Sequence, residues 1–552
     1  MLWNGEKGTL DCCIFINNAA NGSGGGVLWN GIKGIVSSCT FINNSCGYGG
    51  GLYWNGTNGK LNNSIFINNY ASVNGGGAVW LNSVNATLTN CKFIANTAHT
   101  GGAGVFCSRV SANCILTNCT FINNIAILYD GGAIYWNSAN GRLEDCIFMG
   151  NTATGSGGAI CWGGANSNMA NCNFTNNCAT NGDNVYWIWT MDDFLNKYNQ
   201  IHDYDYIYIL NGIGSPSSTI VLNKKDITIS SQGNVIFDAK GKNLHFEVTG
   251  DNILIEKITF RNFNFTNHGG AIQWEGNNGT LKNCNFINNT SNRQGGAIYW
   301  GAYYGNINGS NFINNTAKIS GGSIFWGNHH GILSSCSFKG NSAGTFGGAL
   351  IWQGDYGNIN DCNFTDNTVG GNGGAIFWVS PNGILTYSNF INNHAANLGG
   401  GVYWDGRSNN SILTDCTFID NSANVGGGIH WISANGNLLN SIFINNTAND
   451  NAGGIHWSGA NGKLIDSTFE GNTANVAGAI NWNNVGSITD CTFINTKWSK
   501  SNGIYTWNNL TINGGKGIVD IYNQGTLSGI SIVVLNNETY YYPPNTNINL
   551  RN

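Results

Sequence analysis

Apolar residues along this chain come in short alternating pieces rather than long stripes. In Gly295-Gly296-Ala297-Ile298-Tyr299-Trp300, Ile298 and Trp300 lie two apart and share a face, and Cys336 and Phe338 do the same around Ser337. Alternation of period two marks strands, whereas a helix would repeat its apolar positions every 3.6 residues. Gly and Asn separate the pieces and mark turns. The whole pattern returns after about 26 residues as G-x-L-x-N-C-x-F-I-N-N-x-A-x-x-G-G-A-I-Y-W-x-G. A period of that length belongs to solenoid repeats. The expected fold is all-β, a parallel β-helix whose coils of about 26 residues stack at the ~4.8 Å spacing of neighbouring strands.

Stacked coils predict columns of like side chains. Phe41, Phe66, Phe312, Phe338 and Phe364 form one, and Trp54, Trp80, Trp136, Trp300, Trp326, Trp352 and Trp378 keep a second beat. Asn44, Asn69, Asn315, Asn341 and Asn367, each three residues after a Phe, read as an amide ladder at a turn with left-handed backbone. Between Ile and Trp the residue varies (Tyr299, Phe325, Ile351, His430, His456, Asn481), so this slot is expected to face outward. Cys336 and Cys362 belong to a column two residues before Phe in which Ser64, Ser310 and Ser388 substitute freely. A disulfide half does not interchange with Ser, and 17 cysteines leave one over in any case, so the column reads as small buried thiols. So many free thiols suggest a reducing or anoxic habitat.

The consensus disappears from about 183 to 267. Met191 to Ile201 places Phe194, Leu195, Tyr198 and Ile201 on one helical face behind an acidic start. Such a helix can cover the open edge of a β-helix. The expected organisation is 1–182 as the last coils of a first β-helix, 183–267 as a capping helix with the opening coils of a second, 268–527 as that second β-helix, and 528–552 as a last coil or the start of a β-sandwich. In the last part Ser528 to Leu535 reads as a strand and Asn536 to Thr539 as a turn. The alternative is one continuous solenoid with an inserted segment.

Composition narrows the function classes. With 80 Gly, 4 Pro and 9% charged residues, the chain is turn-rich, and 41% hydrophobic residues are too many for a disordered tract. A net charge of -5 without any Lys/Arg cluster argues against nucleic acid. No apolar run is long enough to span a membrane, and the N-terminus lacks the basic and apolar regions of a signal peptide. The chain starts inside a repeat, Leu2-Trp3-Asn4-Gly5 matching Tyr53-Trp54-Asn55-Gly56, so an upstream portion is expected.

The pairing of F-x-x-N (Phe41 to Asn44, Phe312 to Asn315) with G-G-A-I (Gly296-Ala297-Ile298, Gly374-Ala375-Ile376) resembles the repeats of the chlamydial polymorphic outer-membrane proteins. The C-x-F-I-N-N-x-A wording and Asp203-Tyr204-Asp205-Tyr206-Ile207-Tyr208-Ile209 resemble the adhesin-like surface proteins of methanogenic archaea. The resemblance implies a right-handed parallel β-helix and an extracellular, wall-associated, non-catalytic protein, with cell-surface glycans, proteins or wall polymers as partners and no cofactor.

Parallel β-helices also include enzymes of the pectate-lyase-like class, which need clustered carboxylates, often with a Lys or Arg. Asp145, Asp361, Asp415, Asp466 and Asp490 fill a slot that holds Asn in other coils, and only Asp466 and Asp490 fall on neighbouring coils as a candidate pair. His430 and His456, one coil apart, are the weak candidates for a metal, against the plainer reading as surface histidines. An adhesive rod is the preferred expectation; a polysaccharide lyase or hydrolase and a structural spacer of the envelope are the alternatives.

Overall fold

The computed structural model describes residues 1–494 continuously and, beyond them, the strand segments 497–498, 504–506, 510–513, 516–523, 531–535, 538–542 and 546–551. The chain divides into two compact units, Met1–Gly214 with Lys224–Val235 and Ser215–Asn223 with Ile236–Asn552.

In the first unit a coil is a set of very short strands such as Val27–Trp29, Ile35–Ser37, Thr40–Ile42 and Ser45–Cys46. Each pairs in parallel with its counterpart one coil on: Trp29 with Trp54, Val36 with Leu61, Phe41 with Phe66, Cys46 with Ala71. The second unit winds the same way, pairing Trp300 with Trp326, Ile307 with Leu333, Phe312 with Phe338 and Ala317 with Ala343. Both units are parallel β-solenoids, and the turns absorb small differences in coil length, such as 25 residues from Phe41 to Phe66 and 28 from Phe93 to Phe121, so that like residues stay in register.

That register fills the core. Phe312 and Phe338 stack at 4.7 Å and 3°, and Trp326 and Trp352 at 4.4 Å and 9°, all of them fully buried. Burying each ring contributes roughly 1.5–3 kcal/mol, and parallel stacked neighbours of the offset kind add about 0.5–1.5 kcal/mol. The consensus Gly five residues after Trp is a contact requirement: a Cβ at Gly305 would lie 2.3 Å from the Trp300 indole.

The Asn column is buried and fully bonded. Asn315 Nδ2 donates to Phe286 O at 3.0 Å and to Asn341 Oδ1 at 3.1 Å, while the Asn315 backbone N–H donates to the same Oδ1 at 2.9 Å. The left-handed backbone falls one residue earlier than expected, at Asn43, Asn68 and Asn314 with φ of 52°, 52° and 53°. The turn is thus made by an exposed Asn and bonded by the buried Asn after it.

All 17 cysteines are free thiols. Cys336 Sγ donates to Ser334 O at 3.1 Å, as Ser64 Oγ donates to Asn62 O at 2.8 Å, and each accepts a backbone N–H from the preceding coil, Ser310 N at 3.4 Å and Cys39 N at 3.1 Å. Thiol and hydroxyl interchange because both complete the same two bonds.

Two expectations need correction, and the one short helix lies where it is expected. Trp80 does not belong to the Trp column: it pairs with Tyr53 and Phe106, and Leu81 takes the column position between Trp54 and Cys107. The helix is short, Met191–Lys197, with a capping box between Thr190 and Asp193, and it continues only as the 3₁₀ turn Tyr198–Gln200. Met191, Phe194 and Ile201 are buried, whereas Leu195 and Tyr198 are half-buried. It does not close an edge, because Val185–Trp189 before it pairs both with Ile160–Trp162 and with Tyr206–Ile209 after it. Parallel pairing therefore runs across 182/183. The excursion is pinned by Asp205, a buried carboxylate that accepts from Val185 N at 3.0 Å, Trp187 Nε1 at 2.9 Å and His202 N at 2.9 Å.

Near the end of the second unit, Ser531–Leu535 pairs in parallel with Leu510–Asn513 but antiparallel with Glu538–Tyr542, and Thr546–Arg551 pairs antiparallel with Lys516–Asn523. Ser528 to Ile530, and Asn536 and Asn537 of the expected turn, lie outside the described residues.

Candidate functional site: an uncovered aromatic groove

The variable slot before Trp, expected to face solvent, is half-buried at Gln273 and Tyr299 and buried from Phe325 to Asn481 in the second unit. Phe325, Ile351, Phe377, Val379 and Tyr403 form a cluster of their own, with Phe346 and Leu398 packed against it. Phe346 and Leu398 each precede a left-handed Gly, Gly347 and Gly399, and that turn folds their side chains over the slot. A second, smaller core thus lies on the outside of the main one.

His430 and His456 sit in this core and are not surface histidines. Their rings stack at 4.5 Å, with Tyr403 against His430 at 5.3 Å, and the residues are only 6% and 9% exposed. Burial, and then the neighbouring ring, hold His430 well below the usual histidine range, and burial brings His456 down to about 4. His456 Nε2 is bonded to Asn483 Nδ2 at 3.1 Å. Among the described residues no group of three His, Cys, Asp or Glu gathers as metal ligands.

In the first unit the same slot is half-open over four coils and closes at buried Cys161. Tyr53, Trp80, Phe106 and Tyr135 stack in successive coils at 6.0, 4.1 and 5.0 Å, and all four are half-buried. The covering position before the left-handed Gly holds Tyr48, which packs edge-on against Trp80 at 5.3 Å, but in the next three coils it holds Gly75, Gly101 and Asp130, so the row is uncovered at Phe106 and Tyr135. A Cβ at Gly75 would already lie 2.2 Å from the Phe106 ring, so the chain passes close there without covering the row.

The result is a groove of about 290 Å³ lined by Asn74, Thr100, Phe106, Tyr129, Asp130 and Tyr135, with Asn137 at its side. Its polar groups are fixed: Asn74 Oδ1 accepts from Thr100 Oγ1 at 2.8 Å and from Gly75 N at 2.9 Å, and Asp130 Oδ1 accepts from Ser156 N at 2.7 Å. Burial, with Cys161 and Asp130 nearby, pushes Tyr135 up to about 12, so its hydroxyl stays neutral and can both donate and accept. Beside the groove Val73, Leu128 and Tyr129 are exposed by 54%, 49% and 59%, with Ile127 next to them. Neighbouring coils carry His99-Thr100 and Thr154-Gly155 where this coil carries Ile127 to Tyr129. Apolar side chains displayed where the repeat is polar mark a contact surface.

This arrangement is suited to non-covalent binding. Because the rings stack on one another, they offer edges rather than faces to the groove, and amide, hydroxyl and carboxylate groups surround them. Asp130 is the only ionisable acid or base lining it besides the two tyrosines. The candidate pair Asp466 and Asp490 lies in the second unit at exposed left-handed turn positions, with φ of 49° and 53°. Among the described residues neither carboxylate forms an ion pair.

Residues 296–474 match the family described as right handed beta helix region, which gives the coil its hand. Residues 118–135, 145–161 and 283–299 each match the Chlamydia polymorphic membrane protein repeat. No curated protein matches the chain. Among solved structures, a mannuronic acid specific polysaccharide family 6 lyase from human gut microbiota is 11% identical, with 60% of this chain and 86% of that one covered and a TM-score of 0.40. Pectate lyase Pel9A is 12% identical over 58% and 78%, TM-score 0.27, and PfbA, a surface adhesin of Streptococcus pneumoniae, is 11% identical over 78% and 90%, TM-score 0.27. Scores this low carry no argument about what this chain does.

Alternation alone gives the slot the same outward direction in every coil and does not distinguish a covered stretch from an open one. The signal was the residue just before the left-handed Gly, small at Gly75 and Gly101 and bulky at Phe346 and Leu398.

Proposed function

We propose that this β-helix repeat protein is a non-catalytic contact protein of an extracellular cell surface, binding glycans, proteins or wall polymers through its lateral faces. The observation that carries this is the groove at Phe106 and Tyr135, left open by Gly75 and Gly101 and bordered by exposed Leu128 and Tyr129. The matches to the repeat of a chlamydial membrane protein support placement at a surface. A fixed hydrogen-bonding groove with an apolar border is a recognition surface, and its lone carboxylate lacks the partner that acid/base chemistry needs.

The test is retention of the full chain on cell-wall fragments and mucin-coated surfaces, compared with the Leu128→Thr/Tyr129→Ser variant. Both positions are exposed and polar in other coils, so the fold is retained. Loss of retention at least fivefold in the variant is expected; equal retention of both proteins would remove the groove from the function.

A further inference from the structure

In the second unit one turn departs from its own pattern. The left-handed turn position, four residues after Trp and six in the longer turn after Trp404, is Asn278, Asn382, Asn410, Asn435 and Asn461 in most coils, but Tyr304, His330 and Tyr356 in three consecutive ones. Asn is the residue this backbone favours, and a bulky aromatic there is disfavoured. The Asn residues also bond to one another, Asn435 Nδ2 to Asn410 Oδ1 at 3.1 Å and Asn461 Nδ2 to Asn435 Oδ1 at 3.2 Å. The three aromatic coils give up both advantages.

Their rings form an outer stack instead. Tyr304 lies on His330 at 5.0 Å and 5°, and His330 on Tyr356 at 5.1 Å and 6°. Tyr304 and Tyr356 are 57% and 56% exposed, so the stack is not part of a core. It ends at the much shorter Asn278 and Asn382, which leaves the outer faces of the two tyrosine rings standing above their neighbours. One residue earlier in the same turns, Tyr303 packs against His329 at 5.7 Å, and His329 Nδ1 accepts the backbone N–H of Asp355 at 2.9 Å. The outcome is a strip of aromatic rings with polar atoms at their edges and no Lys or Arg among its residues, bordered by the single exposed Ile332.

We propose that Tyr303, Tyr304, His329, His330, Asp355 and Tyr356 form a binding site for an extended neutral polysaccharide, lying along the coil axis over this turn. The inference rests on the contact function proposed above but concerns a different site. A polymer along the coil axis meets the edges of the stacked rings, whose hydroxyls and ring nitrogens recur once per coil as hydrogen-bond partners for sugar hydroxyls, while the apolar C–H face of a sugar finds a free ring face where the stack ends, at Tyr304 and Tyr356. A protein partner would call for the aliphatic surface found instead at Leu128 in the first unit. An anionic polymer would call for the Lys and Arg that this strip lacks.

The test titrates the full chain with cellohexaose and with chitohexaose by calorimetry, alongside the variants Tyr304→Asn/His330→Asn/Tyr356→Asn and Leu128→Thr/Tyr129→Ser. The triple variant installs the residue that the turn carries elsewhere, so its melting midpoint should equal or exceed that of the parent. Binding of either hexasaccharide that weakens at least tenfold in the triple variant and stays unchanged in the other is the expected result. Binding that the triple variant leaves intact would overturn the site. No binding of either sugar at millimolar concentration would overturn the ligand class, while the retention experiment above would still decide the contact function by itself.

Discussion

Asn341 and Asn367 join consecutive coils through one oxygen: Oδ1 of Asn367 accepts both the side-chain amide of Asn341 at 2.9 Å and its backbone N–H at 3.0 Å. Asn341 Nδ2 also donates to Phe312 O at 3.0 Å, so every polar atom of a buried side chain is used. Asn341→Asp keeps the shape but removes both donors and buries a charge. It should cost about 3–5 kcal/mol in denaturant unfolding, the range for an uncompensated buried charge. The neighbouring control, Asn314→Asp, lies at the exposed turn position that Asp366 and Asp420 fill in other coils, and should be within about 0.5 kcal/mol of the parent.

The buried histidines give stability a pH dependence. Folded His456 is lowered to about 4 and His430 is lowered too, so in acid the unfolded chain binds protons that the folded chain does not. Their contribution is complete above the unfolded histidine value near 6.5 and is lost as pH falls from there through about 4, at roughly 3 kcal/mol for His456 alone. His430→Phe/His456→Phe puts into the slot the kind of ring found at Phe377, and it should be more stable than the parent by a margin that grows between pH 7 and pH 4.5. A margin independent of pH would contradict burial of the neutral rings.

The buried thiols of the column should be chemically silent in the folded protein. Burial pushes Cys284, Cys416 and Cys491 up to about 12, whereas Cys12 and Cys178 are exposed. A thiol reagent at pH 8 should therefore label Cys12, Cys178 and the half-buried Cys13 first and the rest only on unfolding. Cys336→Ser should be nearly neutral, while Cys336→Val leaves Ser310 N–H without its acceptor and should cost about 1–3 kcal/mol. Intact-mass labelling and melting of the two variants check both statements.

The main core was legible because identical residues at equal spacing have one simple meaning: Phe312, Phe338 and Phe364 must stack if coils stack. What lay outside that core was not legible. Alternation places Phe377 and His430 on the outer face, and it cannot show that a turn residue such as Phe346 folds back to cover that face. The same limit hid the groove at Phe106. Trp80 follows Val79 directly, whereas the repeat's Trp stands two residues after its Ile, so Trp80 falls in the slot beside Tyr53 and Leu81 takes the column position beside Trp54. The exposed stack at Tyr304 was visible as letters, but its meaning depended on knowing that the turn holds a left-handed residue there.

The most direct test of a contact function is to incubate the full chain with cell-wall and mucin-type polysaccharides. Retained protein and newly formed reducing or unsaturated ends would be scored in the same tubes. Retention without new ends is the expected result. New ends formed by protein that keeps the activity through repurification would contradict it and turn attention to Asp466 and Asp490.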